Sequence, residues 1–181
     1  MKPIIFSTDM VRAILDGRKT QTRRIVKIPK WIKPPYQRDD FHTAKNPYQV
    51  GDILWVREAV YLDPKPYIGR YKADDKLVGG DMPLVWCWIT THLSGRYMPK
   101  TAARIFLEVT KIRVEGVQDI TPDDIMAEGR SSSLSDDEDY SAGYEWFAEL
   151  WNSIHGKDAW DRNEWVWVYD FEVSKDTEMA G

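Results

Sequence analysis

The stretch Leu15–Ile25, LDGRKTQTRRI, decides how the rest of the chain is read. Four of its positions are Arg or Lys and two are Thr, and the basic part follows Gly17. Just before it, Ser7 or Thr8 can cap a helix whose apolar residues Met10, Val11, Ile14 and Leu15 recur at helical spacing. Gly17 then suits the left-handed position past a helix end. Earlier still, PIIF (3–6) reads as a short strand. The sequence therefore predicts strand, helix and then a basic loop, with RIVKI (24–28) as the next strand. The loop either grips an anion, performs chemistry or simply faces water.

The charge pattern favours an anion. The net charge is −4, but residues 1–38 hold ten basic residues against Asp9 and Asp16, so they carry +8 and the remainder −12. A positive patch on an otherwise acidic chain fits a polyanionic ligand held at one face; non-specific binding calls for a broadly basic surface. The alternative is a solvated run of charge.

Composition bounds the rest. The chain has 181 residues, 43% of them apolar, enough for one buried core and a single domain over 1–181. No apolar run approaches the ~20 residues that span a bilayer, so no membrane contact is expected. The apolar part of MKPIIFSTDM is too short for a signal peptide. Cys87 is the sole cysteine, which excludes a disulfide framework and points to a reducing cytoplasm. His42, His92 and His155 are scattered without zinc-ligand spacing, so neither a metal nor a cofactor is expected.

Further along, Pro29, Pro34, Pro35 and Pro47 mark a long irregular connection, and VGDILWVRE restarts a strand with Ile53, Trp55 and Arg57 on one face. Residues 59–83 read as an inserted loop and LVWCWI (84–89) as a buried strand. RIFLEVTKIRV (104–114) is a strand whose apolar parity changes midway, which predicts a bulge near Thr110 or Lys111. Thr121-Pro122-Asp123-Asp124 starts a short helix closed by Gly129. SSSLSDDEDY reads as an acidic loop. A second helix is expected over 142–155, with Tyr144, Phe147, Trp151 and Ile154 aligned, and EWVWVYDFEV (164–173) as the last strand. About six strands with short flanking helices, and no regular βαβ alternation, predict an α+β domain around a partly closed β-barrel.

In this order, the opening strand and helix into GRKTQTRR, then VGDILWVRE, ARIFLEVTKIRVE, DITPDDIMAEG and WVWVYDFEV resemble the ASCH domain, a branch of the PUA-like superfamily. They cover about a third of the chain, and the regions near 29–49, 59–102 and 130–163 are longer than in the smallest ASCH proteins. The chain resembles in particular the longer ASCH proteins of bacteria and their phages. It implies a PUA-like barrel with a cleft and a role in RNA binding or nucleotide chemistry. Some small ASCH proteins are N4-acetylcytidine amidohydrolases, whose pattern joins the Lys and second Thr of a GRKTxT loop to a Glu at the end of a short helix. Lys19, Thr22 and Glu128 match those positions.

Amide hydrolysis needs a nucleophile, a base and something to hold the oxyanion. Thr22 supplies a hydroxyl, and Lys19 can take its proton only when neutral. Working near pH 7 costs a lysine about 4 kcal/mol. Repulsion from Arg18, Arg23 and Arg24, with burial against Trp side chains, supplies part of that. Glu128 opposes it when ionised, unless it shares and shuttles the proton. Each residue also has a plainer reading. Thr22 can bond a loop amide, Lys19 can hold a phosphate, and Glu128 can pair with Arg130. Arg18, Arg23 and Arg24 are anion or base-edge ligands, since Arg stays protonated. Trp55 and Arg57 are expected to line the cleft, with Trp55 either stacking a base or filling the core. The function expected is binding of RNA or a modified nucleoside with possible amide hydrolysis. The alternatives are a non-catalytic RNA-binding module and a ribonuclease.

Overall fold

The computed structural model describes residues 1–29, 31, 41, 44–65, 67–80, 87–131 and 137–174, with side chains omitted for 137–139. The fold is α+β. The elements run β1 (Lys2–Ile5), α1 (Thr8–Leu15), β2 (Gln21–Ile25), β3 (Ile53–Arg57), β4 (Val60–Asp63), β5 (Ile68–Tyr71), β6 (His92–Leu93), β7 (Phe106–Gly116), α2 (Pro122–Ala127), α3 (Asp137–His155) and β8 (Trp165–Val173). They fall into two compact units.

The first unit holds residues 1–17, 51–108 and 172–181. Here β3 is flanked by β1, in parallel, and by the start of β7, antiparallel. A three-stranded sheet, β5-β4-β6, completes it. Ser7 caps α1 with its hydroxyl, and Val11, Ala13 and Ile14 form the helix's buried face. Gly17 takes φ +72°, the left-handed conformation expected of it. The core gathers Trp55, Val60, Tyr71, Val78, Leu93, Met98 and Phe106. Arg104 lies over the Tyr71 ring at 3.7 Å and binds both Glu58 and Asp74.

The second unit holds residues 18–50 and 109–171. β2 pairs antiparallel with β8, in register Thr22↔Tyr169 and Arg23↔Val168. One face of these strands is covered by α2 and α3 through Ile125, Phe147, Trp151, Val166 and Val168, with Ile25 alongside. The other face packs Val26, Phe41 and Ala44 against Val114, Trp165 and Trp167. With both faces covered, Val166, Val168, Tyr169 and Phe171 are all buried, so β8 reads as a nearly unbroken apolar run. Each such fully buried side chain contributes about 1.5–3 kcal/mol of transfer free energy.

Several expectations are corrected. The basic segment is not a loop leading to a strand at 24–28; it is itself β2, starting at Gln21. Arg and Thr enter a buried strand there because the guanidinium of Arg23 finds carboxylates, as described below. Val60–Asp63 and Ile68–Tyr71 pair as the β4–β5 hairpin, with Tyr67 at φ +74° before β5, and are not an unstructured insertion. In the expected strand 84–89, residues 84–86 lie outside the described set. Cys87 and Ile89 are exposed and in no strand. α3 begins at Asp137, so the acids 137–139 are helical; Asp136 and residues 132–135 lie outside the described set, as do Pro34, Pro35 and His42. Ile154 is exposed while Phe147 and Trp151 are buried, so the apolar stripe ends a turn early. β7 spans Phe106–Gly116, and Thr110 and Lys111 are both exposed where the apolar parity changes. Among the described residues the strands number eight rather than about six, and no closed barrel forms.

Ile125 ties α2 to the core, and Ile154 does not. Ile125→Ala should lower the unfolding free energy by about 3 kcal/mol in a denaturant titration. Ile154→Ala should change it by under about 0.5 kcal/mol.

Candidate functional site

The site is built by α2 and the start of β2, both in the second unit. Thr121 caps α2 with its hydroxyl on the Asp124 amide (3.2 Å), and Asp124 Oδ2 accepts from the Thr121 amide in return. Pro122 occupies the first turn, where its missing N–H costs nothing. The helix stops after Ala127 because Gly129 turns to φ +104°. That leaves Glu128 at the C-cap, where its backbone bridges Lys19 and the Thr20 amide donates to the Ala127 carbonyl.

Lys19 is thereby carried inward. Its side chain is 0% exposed and that of Glu128 3%, with Nζ 2.6 Å from Glu128 Oε2 and 3.0 Å from the Glu128 carbonyl. Arg23 reaches the other carboxylate oxygen, Nη1 to Oε1, at 3.1 Å. Burial pulls the Lys19 ammonium below its ordinary pKa; Glu128 opposes this by charge and hydrogen bond, and Arg24 and Arg23 reinforce it. Glu128 therefore pairs with two buried cations, Lys19 and Arg23, where the plainer reading expected Arg130 or another surface cation.

The contact widens into a network. Arg23 Nη2 binds Glu115 at 2.7 Å and Asp124 at 3.0 Å, and the guanidinium lies 5.7 Å from the Phe147 ring centroid. Arg113 binds Glu115 (2.8 Å), Asp124 (2.7 Å) and Asp170 (3.4 Å). Gln21 donates to Asp170 (2.6 Å) and Asp124 (3.0 Å) and accepts from Arg23 (2.6 Å). Three cations thus meet four carboxylates on one face of β2, β7 and β8. Burial alone would raise the Asp124 carboxyl, yet the Thr121 amide, Gln21, Arg23 and Arg113 outweigh it and hold the pKa at about 2. Among the described residues, no group of His, Cys, Asp and Glu is arranged to hold a metal ion, and no helix is long and apolar enough to cross a membrane.

Strand alternation sends Thr22 and Arg24 to the opposite face from Gln21 and Arg23. Thr22 is 2% exposed, beside Tyr169. Among the described residues no hydrogen bond joins its hydroxyl to Lys19 or Glu128. On this face the Tyr169 hydroxyl donates to Asn46 Oδ1 at 2.7 Å, and the rings of Tyr48 and Tyr169 meet edge-on at 5.1 Å. Burial lowers the Arg24 pKa, against the pull of Tyr48, Glu128 and Tyr169.

Of the predicted site residues, Lys19, Arg23 and Glu128 converge. Arg18 is near them, its Nη1 2.5 Å from the Gly129 carbonyl. Trp55 and Arg57 belong to the first unit. There Trp55 lies in the apolar core, and Arg57 sits 5.4 Å from the Trp55 ring centroid and donates to the Arg96 carbonyl. Sequence reasoning missed Gln21, Arg113, Glu115 and Asp170. The parity change in β7 was the available signal: it turns Arg113 and Glu115 to the charged face while Val114 packs on the other.

No protein-family model matches the chain, and no curated protein matches it. Among solved structures, it is similar to a protein of Enterococcus faecalis V583 assigned to DUF984, with a TM-score of 0.48 and 13% identity, covering 96% of this chain and 76% of that one. It is also similar to an ASCH domain from Lactobacillus crispatus JV V101, with a TM-score of 0.39 and 13% identity, covering 90% and 70%.

Asp124 gives the site an acid signature. Its carboxyl titrates near the ordinary value when unfolded and at about 2 when folded, so its stabilisation is complete above about pH 4 and fades as pH falls towards 2. Stability measured from pH 5 to 2 should therefore fall more steeply for wild type than for Asp124→Asn. Separately, Arg23→Ala strands buried carboxylates and should cost about 3–5 kcal/mol at pH 7.

Proposed function

We propose that the chain is an ASCH-type, PUA-like protein that takes a modified nucleoside or an unstacked RNA base in its second unit and hydrolyses the exocyclic amide of N4-acetylcytidine. The observation that carries this reading is the buried contact of Lys19 with Glu128 at 2.6 Å, made by the residues that the GRKTQT and DIMAEG motifs put forward. A buried ion pair adds little net stability, because desolvation offsets its attraction. A lysine with a lowered pKa beside a carboxylate is suited to moving protons.

In this reading neutral Lys19 takes the Thr22 proton as Oγ1 attacks the acetyl carbonyl. Arg24, on the same strand face as Thr22, faces the oxyanion. Collapse breaks the C–N bond, and the proton passes by way of Lys19 and Glu128 to the departing amine of cytidine. Water then hydrolyses the Thr22 acetyl ester, releasing acetate and restoring the hydroxyl. Lys19 precedes β2 and is held on Glu128, so in this reading its side chain turns from the Glu128 face towards Thr22 to take the proton.

A second reading, recognition without cleavage, is favoured by one observation: the charges of Lys19 and Arg23 are already engaged by Glu128, Glu115 and Asp124. The same engagement counts against a ribonuclease that uses Lys19 on a phosphate. Incubation with N4-acetylcytidine, read by mass spectrometry, should yield cytidine, insensitive to high salt. Thr22→Ala should lower the rate on the order of a thousandfold or more. No product, with RNA retained on a filter and released steeply as salt rises, would support recognition alone; cleaved RNA would point to a nuclease.

A further inference from the structure

The end of β2 away from Lys19 meets the start of β8 at a cavity that takes no part in the site described above. It has a volume of about 340 Å³ and lies wholly within the second unit. Ile25, Val26, Ile28 and Trp165 line it with apolar surface, and Arg162 and Glu164 add one charge of each sign. That volume reaches the size of clefts that hold small ligands, roughly 300–1,000 Å³. Phe41 already packs on the Trp165 ring, with centroids 4.7 Å apart, so Trp165 serves here as a wall and not as a stacking platform.

The backbone that carries the two charges is tied down, while the charges themselves are little used. The Val26 amide donates to the Trp165 carbonyl (2.8 Å), the Val117 amide to the Glu164 carbonyl (3.0 Å) and the Asn163 amide to the Trp160 carbonyl (3.1 Å). Between them Asn163 takes φ +42°, a left-handed conformation that asparagine tolerates, and its Oδ1 accepts from the Gln118 amide at 3.0 Å. Arg162 Nη2 meets Glu164 Oε2 at 3.4 Å, longer than the about 2.7–2.9 Å of a strong charge-assisted bond. Among the described residues neither side chain has another hydrogen bond or ion pair. Arg23 and Arg113, in the same unit, each engage three carboxylates.

Two underused groups of opposite sign, side by side at an apolar cavity, restrict what it can hold. An anion would meet Glu164 and a cation Arg162, so the ligand is neutral, with apolar faces and one polar edge. A guanidinium only donates and a carboxylate only accepts, so that edge places acceptors directly beside donors. Guanine does this in pairs: acceptors N7 and O6 are followed by donors N1–H and the N2 amine. Adenine, cytosine and uracil break that order, and none engages both groups twice. Arginine on O6 and N7 is also the commonest base-specific contact. We propose that this cavity is a guanine site, with Arg162 donating to O6 and N7 and Glu164 accepting from N1–H and the N2 amine. It stands apart from the chemistry of Thr22, Lys19 and Glu128 and does not depend on it.

Titration of the full chain with guanosine, followed by the NMR signals of the Trp165 indole and the Ile25 and Ile28 methyls, tests the site. Guanosine should shift these signals. Adenosine, cytidine and uridine should bind about tenfold or more weaker, with inosine, which lacks the N2 amine, in between. Glu164→Gln and Arg162→Gln should each weaken guanosine about 10–100-fold. Both side chains are partly exposed, so the variants should fold, and hydrolysis of N4-acetylcytidine should be the same in them as in wild type. A uridine oligonucleotide with a single guanosine separates the sources. If it displaces guanosine, the base comes from RNA; if it does not compete, the ligand is a free nucleoside or nucleotide, and either result supports the site. No shift at these signals, equal affinity for the four nucleosides, or guanosine binding unchanged in both variants overturns it, whether or not N4-acetylcytidine is cleaved.

Discussion

The second unit depends on one carboxylate held between two cations out of water. Glu128 binds Lys19 through one oxygen and Arg23 through the other. Losing any one of the three leaves a buried charge uncompensated, which costs several kcal/mol, although the intact set contributes little net stability. Position follows from this economy of partners. Gly129 ends α2 so that Glu128 points inward, the Thr20 amide ties the strand entry to the helix end, and Asp124 serves both the helix cap and Arg113. A short helix is thus fastened to a strand more than a hundred residues away in sequence.

β2 divides the chemistry between its faces. Gln21 and Arg23 join the closed charge network, while Thr22 and Arg24 face Tyr169, Tyr48 and Asn46. The first face is crowded with internal ion pairs, although Arg23 Nε has no partner among the described residues, and it sets geometry and proton affinity. The second carries the Thr22 hydroxyl, the Arg24 guanidinium and the edge-on rings of Tyr48 and Tyr169. Lys19, entering before the strand begins, belongs with Glu128 to the charge network and is repelled by Arg24.

Much of the local structure was legible. The α1 cap at Ser7, the stop at Gly17, the capping box of α2 and the aromatic alternation of β8 all follow from rules of one or two turns' range. The Lys19–Glu128 pairing was legible only through motif resemblance, since no spacing links residues so distant. The network around Arg23 was hidden because charged residues in a strand read as solvent-facing until their partners are known, and those partners come from β7, β8 and α2. Cys87 and Ile89 misled in the opposite way: an apolar residue is buried only where another element covers it, as the first unit's core does for Trp88 between them. The β4–β5 hairpin was obscured by Asp, Pro and Gly, which mark turns without saying what they join.

The central claim is that Lys19 is a buried lysine whose proton affinity is set by desolvation and by Glu128. Titration of the lysine side-chain resonances by NMR tests it most directly. Lys19 should titrate well below the surface lysines, and Glu128→Gln should lower it further, because the carboxylate opposes the effect of burial. A Lys19 resonance that titrates with the others near the ordinary value of about 10.4, and does not respond to Glu128→Gln, would contradict the account.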